Sequence, residues 1–186
     1  MSKELDVVAL VGSLRRGSLT GRLVLGLIDV APKSLRIETV PLGELPLYNQ
    51  DDDTESPPRP WVEFRARIYR ANAVLFATPE YNRSVPAALK NALDVGSRPA
   101  GKSVWNGKPA AIISASPGAI GGFGANHHLR QSLVFLNMPA MAQPEAYIGG
   151  VDRLLDEKGK FTEESTRQFL AGFMSAFERW ILRNVS

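Results

Sequence analysis

The chain contains no cysteine. Disulfides, thiolate nucleophiles, iron–sulfur clusters and cysteine-based zinc sites are therefore excluded. Histidine is nearly as scarce: His127 and His128 are the only two. Adjacent residues on a helix do not share a face, so no two-histidine metal centre is expected, and the metal complement is read as none. No apolar run is long enough to span a bilayer, and Val7 to Val11 is too short for a signal-peptide core. The expectation is a cytoplasmic protein without membrane contacts. A formal charge of +3 arises without a lysine-rich stripe or a reading motif, so nucleic acid is not an expected partner. Mild basicity does favour small anionic ligands. No Ser/His/Asp triad or pair of catalytic carboxylates can be argued from the pattern.

What is present is an alternation of strand and helix patterns. Strands are predicted over Val7–Val11, Arg36–Val40, Ala73–Ala77 and Ala110–Ala115, with a short fifth around Met138–Ala142. Helices are predicted after Pro32 closes a first one striped by Leu23, Val24, Leu27 and Ile28, then over Trp61–Ala71, Ala87–Val95, Ala125–Leu136 and about Glu163–Arg183. Thr162 is the expected N-cap of the last, and its Phe169, Phe173, Phe177 and Trp180 the expected core face. Alternation implies parallel pairing with right-handed crossovers. The prediction is an α/β fold: a flavodoxin-like three-layer sandwich on a five-stranded parallel sheet of order 2-1-3-4-5. A chain of 186 residues without internal repeats suits a single domain over residues 1–186. Leu42 to Pro60 reads as a long irregular segment with an acidic cluster at Asp51, Asp52, Asp53 and Glu55, either functional or solvated.

Three turns follow predicted strands and lead into helices: Gly12–Ser18, Pro79–Asn82 and Ser116–Gly122. Ligands of open α/β sheets bind outside the carboxyl ends of the strands, so the three turns should border one cleft. From Gly12 to Ile28 there is no carboxylate, while Ser13, Ser18, Thr20, Arg15, Arg16 and Arg22 are present. Hydroxyls, backbone N–H groups at a helix N-terminus and a guanidinium are what a phosphate dianion requires. The turn lacks the lysine of a nucleotide-triphosphate loop, since Gly17 is followed by Ser18 and Leu19, and it lacks the middle glycine of a dinucleotide fingerprint. A monophosphate such as that of FMN fits what remains. The same residues would also make a serine-capped helix with solvent-facing arginines. Pro79-Glu80-Tyr81-Asn82 offers amides and an asparagine that could meet the polar edge of a flavin; it could equally be a turn whose Asn82 and Ser84 cap the next helix. Ser116 to Gly124 holds four glycines in nine residues, leaving room for a planar ring beside the backbone, with Ser116 as a donor. Gly122-Phe123-Gly124-Ala125-Asn126-His127 approaches a dinucleotide fingerprint but ends in histidine. A site rich in binding turns and poor in acid–base residues suits chemistry carried by a cofactor.

At these residues the chain resembles the NADPH-dependent FMN reductase family, in particular its bacterial chromate and quinone reductases. The resemblance rests on Gly12-Ser13-Leu14-Arg15, Leu45-Pro46-Leu47-Tyr48-Asn49, the run from Thr78 to Pro86, Leu89-Lys90-Asn91-Ala92-Leu93-Asp94 and Ser116 to Gly122. It implies noncovalent FMN, NADPH or NADH as hydride donor, and two-electron ping-pong reduction of quinones, with azo compounds, ferric chelates and chromate as further acceptors. It also implies a homodimer that can pair into a tetramer. By matching positions, Ser13, Arg15, Ser18 and Thr20 would hold the phosphate, Pro79, Glu80, Tyr81, Asn82, Ser116 and Gly118 the ring, and Leu14 would be a further cofactor-binding residue. The family usually has asparagine and arginine where this chain has Thr20 and Gly21. Arg16, Arg83 and Arg98 are candidates for the phosphates of NADPH or an anionic acceptor. Two other readings stay open: a flavodoxin-type electron carrier, which is typically acidic where this chain is basic, and a redox-sensing FMN protein without turnover.

Overall fold

A computed structural model describes residues 4–185. Five strands, β1 (Leu5–Val11), β2 (Leu35–Val40), β3 (Ala73–Thr78), β4 (Ala110–Ser116) and β5 (Tyr147–Gly149), form one parallel sheet of order β2-β1-β3-β4-β5. β3 is buried along its whole length, as a central strand covered on both faces must be. Period-2 alternation divides the sheet residues between two cores. Val7, Ala9 and Leu75 face α1 (Leu19–Val30), α5 (Val151–Leu154) and α6 (Glu164–Asn184). Val8, Leu10, Val74 and Phe76 face α2 (Arg59–Arg70), α3 (Ala87–Gly96) and α4 (Phe123–Phe135), with Trp61 and Trp105 wholly buried between them. The flavodoxin-like architecture and strand order are those expected. No helix of the described residues is long and apolar enough to cross a membrane.

Four local expectations are corrected. The fifth strand is Tyr147–Gly149, not Met138–Ala142. The earlier segment makes only an isolated bridge, Ala110 to Ala140, because Pro139 within it cannot donate to a ladder and Pro144 follows closely. Thr162 does not cap α6, whose N-cap is Glu163. The Thr162 hydroxyl instead donates to the Arg153 carbonyl at 2.9 Å, closing the excursion between α5 and α6. Phe169 is 44 % exposed, since the buried stripe of α6 runs through Leu170, Phe173, Met174, Phe177 and Ile181; Trp180 is only partly buried. Ile28 likewise leaves the stripe of α1, at 39 % exposure.

The long segment after β2 is tied down. Asn91 of α3 accepts the Tyr48 N–H at 2.8 Å and donates to the Leu45 and Pro46 carbonyls. Trp61 donates to Pro46 at 3.0 Å, and Arg65 clasps Asp53 through two bonds of 2.9 and 3.0 Å. A short 3₁₀ turn, Gln50–Asp52, lies between these anchors.

Candidate active site

The carboxyl ends of β1, β3 and β4 carry the three turns side by side, and Gly12 donates to Ala77 at 2.9 Å, joining the first to the second. In the first turn Ser18 is the N-cap of α1, its Oγ accepting the Gly21 N–H at 3.0 Å. The serine-cap reading is therefore correct, yet it accounts for only one donor. The N–H groups of Ser13, Leu14, Arg15, Arg16, Gly17, Leu19 and Thr20 meet no acceptor among the described residues. Helix N-terminal amides without protein partners, and no acidic residue in the first turn of α1, make a ready cradle for an anion. The cleft beside it has a volume of ≈ 900 Å³ and is lined by Ser13, Arg15, Arg16 and Ser18, with Thr39 and Glu157 opposite. Arg15, Arg16 and Arg22 form no ion pair among the described residues, so the cleft is electropositive. This donor set fits the phosphate end of FMN.

The second turn is a tight hairpin. Tyr81 and Ser84 exchange backbone bonds of 3.1 and 3.0 Å, and the two residues between, Asn82 and Arg83, both have positive φ, 50° and 63°. That is the signature of a type I′ turn, unusual for arginine. Neither Asn82 nor Ser84 caps α3, whose N-cap Pro86 has no side-chain cap. Ser84 Oγ lies instead 3.0 Å from His128 Nδ1 on α4. Thr78, wholly buried at the end of β3, donates to the Pro79 carbonyl at 2.7 Å and fixes the start of the turn. Tyr81 is 45 % exposed.

In the third turn Ser116 Oγ accepts the Gly118 N–H at 3.0 Å. Two of the glycines serve a purpose other than room for a ring. A Cβ at Gly121, where φ is +64°, would lie 2.5 Å from the Tyr147 backbone, and one at Gly124 2.8 Å from the Arg83 carbonyl. Both let the loop close on its own protein neighbours. Only Gly118 has no backbone against it, its one near neighbour being Ser116 Oγ.

The structure thus gathers Ser13, Leu14, Arg15, Ser18, Thr20, Pro79, Glu80, Tyr81, Asn82, Ser116 and Gly118 along one rim. It brings Arg16 and Arg83 there as well. Arg98 lies elsewhere: it follows the C-terminus of α3 and lines a separate cavity of ≈ 280 Å³ with Asn106 and Phe135. Sequence reasoning assigned no role at the site to Thr78, His128 or Asn126. Asn126, wholly buried in α4, donates to Ser114 at 3.3 Å and accepts from Arg130 at 3.0 Å. A buried asparagine on an otherwise amphipathic helix is the signal that could have found it.

At the start of α4, Phe123 and His127 pack against Tyr147 of β5, the Phe123–His127 pair tilted with centroids 4.1 Å apart and His127 stacked on Tyr147, and the Tyr147 hydroxyl lies 3.0 Å from His127 Nε2. Burial, with the Glu145 carboxylate adding to it, pushes the Tyr147 phenol up to about 12, against Arg130. The folded chain therefore keeps this proton over a range in which the unfolded chain releases it, and stability falls as pH climbs from the ordinary value of 10 toward 12. In Tyr147→Phe the melting temperature should fall less steeply over that window, as thermal melts at stepped pH would record; an unchanged slope would contradict the assignment.

Comparison with known proteins agrees with this geometry. The family model described as NADPH-dependent FMN reductase matches residues 5–152. A quinone reductase of Pseudomonas putida is 55% identical over 184 residues, covering 99% of this chain and 98% of that one. A 2-hydroxy-1,4-benzoquinone reductase of a Burkholderia species is 44% identical, over 95% of this chain and 96% of its own. Among solved structures, FerB of Paracoccus denitrificans, a flavoenzyme NAD(P)H:(acceptor) oxidoreductase, superposes with a TM-score of 0.91 at 40% identity, covering 97% of this chain and 98% of that one.

Proposed function

The chain belongs to the NADPH-dependent FMN reductase family, and from that premise we propose that it is an NAD(P)H-dependent oxidoreductase that reduces quinones by two electrons on noncovalent FMN. The observation that carries this reading is the first turn, where the residues of five amides without protein acceptors, Ser13 to Gly17, line an arginine-rich cleft whose one carboxylate among the described residues is Glu157. When bound there, FMN supplies hydride chemistry at its N5. The protein's share is binding, orientation and access. Ser13, Arg15, Ser18 and Thr20 hold the phosphate, while Pro79 to Asn82, with Ser116 and Gly118, hold the ring. Glu80, Asn82 and Arg83 have backbone N–H groups without acceptors among the described residues, suited to the carbonyls of the ring's polar edge.

Ser84 and His128 make a hydroxyl–imidazole contact at the second turn, but no third side chain orients that imidazole among the described residues, so the rim residues position rather than react. Arg16 and Arg83 are placed to draw in the phosphates of NADPH. Tyr81 is exposed at the rim, and on this reading the nicotinamide leaves there before an acceptor takes its place. That gives a ping-pong scheme with wide acceptor tolerance, extending to azo compounds, ferric chelates and chromate. Exposed Val134 and Phe135 on α4, at 80 % and 85 %, support self-association as a homodimer, with pairing into a tetramer. Reliance on a soluble NAD(P)H donor suits work in the cytoplasm.

The deciding experiment is anaerobic titration of the FMN-loaded protein with NADPH, followed by a quinone. Prompt bleaching of the visible flavin band and its return on quinone addition are expected. Absent or slow bleaching would identify an electron carrier or sensor instead, and initial-rate patterns requiring a ternary complex would end the ping-pong scheme.

A further inference from the structure

The side chain of Glu80 is already engaged within the protein. Its Oε2 accepts the Ala125 N–H at 3.0 Å, in the first turn of α4, whose N-cap Gly122 offers no side chain and whose first turn holds no acidic residue. Glu80 therefore reaches across from the β3–α3 turn to provide both the missing acceptor and the negative charge that a helix N-terminus favours. One helical turn further on, His128 Nδ1 lies 3.0 Å from Ser84 Oγ. Beside the first of these ties the two segments also run close together. A Cβ at Gly124 would stand 2.8 Å from the Arg83 carbonyl and 2.9 Å from Glu80 Oε2. The start of α4 thus grips both ends of a turn whose middle residues, Asn82 and Arg83, sit in the left-handed region. Such a conformation persists only where its surroundings over-determine it. The contact of Glu80 with Arg83, at 3.4 Å and with the arginine side chain 77% exposed, adds little.

We propose that Glu80 is a positioning residue. It acts through Ala125 to lock the 79–84 turn in the conformation that presents the Glu80, Asn82 and Arg83 amides to the ring, and its carboxylate does not itself touch the flavin. The inference rests on the FMN reading above and goes beyond it by dividing Glu80 into a binding backbone and a structural side chain.

The test is a double-mutant cycle on apoprotein titrated with FMN, read by quenching of flavin fluorescence well below the melting temperature. Glu80→Ala should bind about tenfold more weakly, as expected for loss of one charge-assisted hydrogen bond. Glu80→Gln should stay within about threefold of wild type, because its amide oxygen can accept the same N–H. Ala125→Pro deletes the donor while leaving Glu80 intact, in a first helical turn that tolerates proline, and should also cost about tenfold. The double variant Glu80→Ala/Ala125→Pro should be no weaker than the worse single, since both break one link. A multiplicative loss of about a hundredfold would mean that Glu80 meets the flavin independently, and would overturn the proposal. So would Glu80→Ala within twofold of wild type, or Glu80→Gln as weak as alanine. If an alanine or proline variant lacks a cooperative melt, the glutamine variant alone decides. Wild-type protein that binds no FMN would instead sink the flavin reading on which this rests.

Discussion

Thr20→Asp is expected to weaken FMN binding by at least about a thousandfold while leaving the apoprotein as stable as before, or more so. Thr20 is 2 % exposed and stands in the first turn of α1, directly behind the Ser18 cap. Aspartate is close to threonine in volume, so packing changes little. What changes is charge. A carboxylate there would lie beside the bound phosphate, which carries roughly −1.5 to −2 at neutral pH. At ~5 Å and an effective dielectric near 20, each pair of like charges costs about 3 kcal/mol. Without ligand the same carboxylate would meet the amides of the turn and the positive end of α1, and so take the place of the missing anion. Affinity and stability should therefore move in opposite directions, which a loss through misfolding could not mimic. The neutral isostere Thr20→Asn separates charge from shape and should retain binding within about tenfold. Fluorescence titration with FMN and thermal melts of the apoprotein read both quantities. Thr20→Asp protein that binds FMN within tenfold of wild type would show that the phosphate is held somewhere else.

The rim was legible in the sequence because the chemistry of a phosphate turn is local. Gly12 to Thr20 carries its hydroxyls, its arginines and its lack of carboxylates within nine residues, and the amides they frame belong to the same stretch. The sheet was legible for a similar reason: Ala73–Ala77 is apolar throughout, as a strand covered on both faces reads. What could not be read was long-range. Glu80 and Ala125 are 45 residues apart, and nothing near either announces the other. The same holds for Ser84 and His128, 44 apart, which is why helix capping looked a reasonable use for Ser84. The glycines of the third turn were recognised as necessary but for the wrong neighbour, since the Tyr147 backbone that crowds Gly121 comes from another strand. β5 was misplaced because three residues give too little periodicity to outweigh an alanine- and methionine-rich stretch just before it. Thr162 failed as a cap because its hydroxyl had a better partner in the Arg153 carbonyl.

The acidic segment after β2 bears on stability rather than on solvation. Asp53→Ala should lower the unfolding free energy by about 3–5 kcal/mol, the usual cost of breaking one side of a buried ion pair. The Asp53 and Arg65 side chains are only 5% and 12% exposed. The guanidinium is held bidentately by Asp53 and donates its Nε–H to the Val95 carbonyl at 2.9 Å, while its carbon lies 5.6 Å from the Trp61 ring centroid. Removing the carboxylate leaves that cation without a counter-charge in a pocket it cannot easily leave. For a chain of this size the loss corresponds to a fall of about 10 °C in melting temperature. The segment also begins at Pro41, Leu42 and Gly43, which line the cleft beside the first turn, so its loosening should weaken FMN binding as well. Replacing both partners, Asp53→Leu with Arg65→Met, should recover most of the lost stability, because no charge is then buried alone. Denaturant unfolding of the three proteins measures the effect. An Asp53→Ala variant within 1 kcal/mol of wild type would mean that water reaches Arg65 and that the segment is held by Asn91 and Trp61 alone.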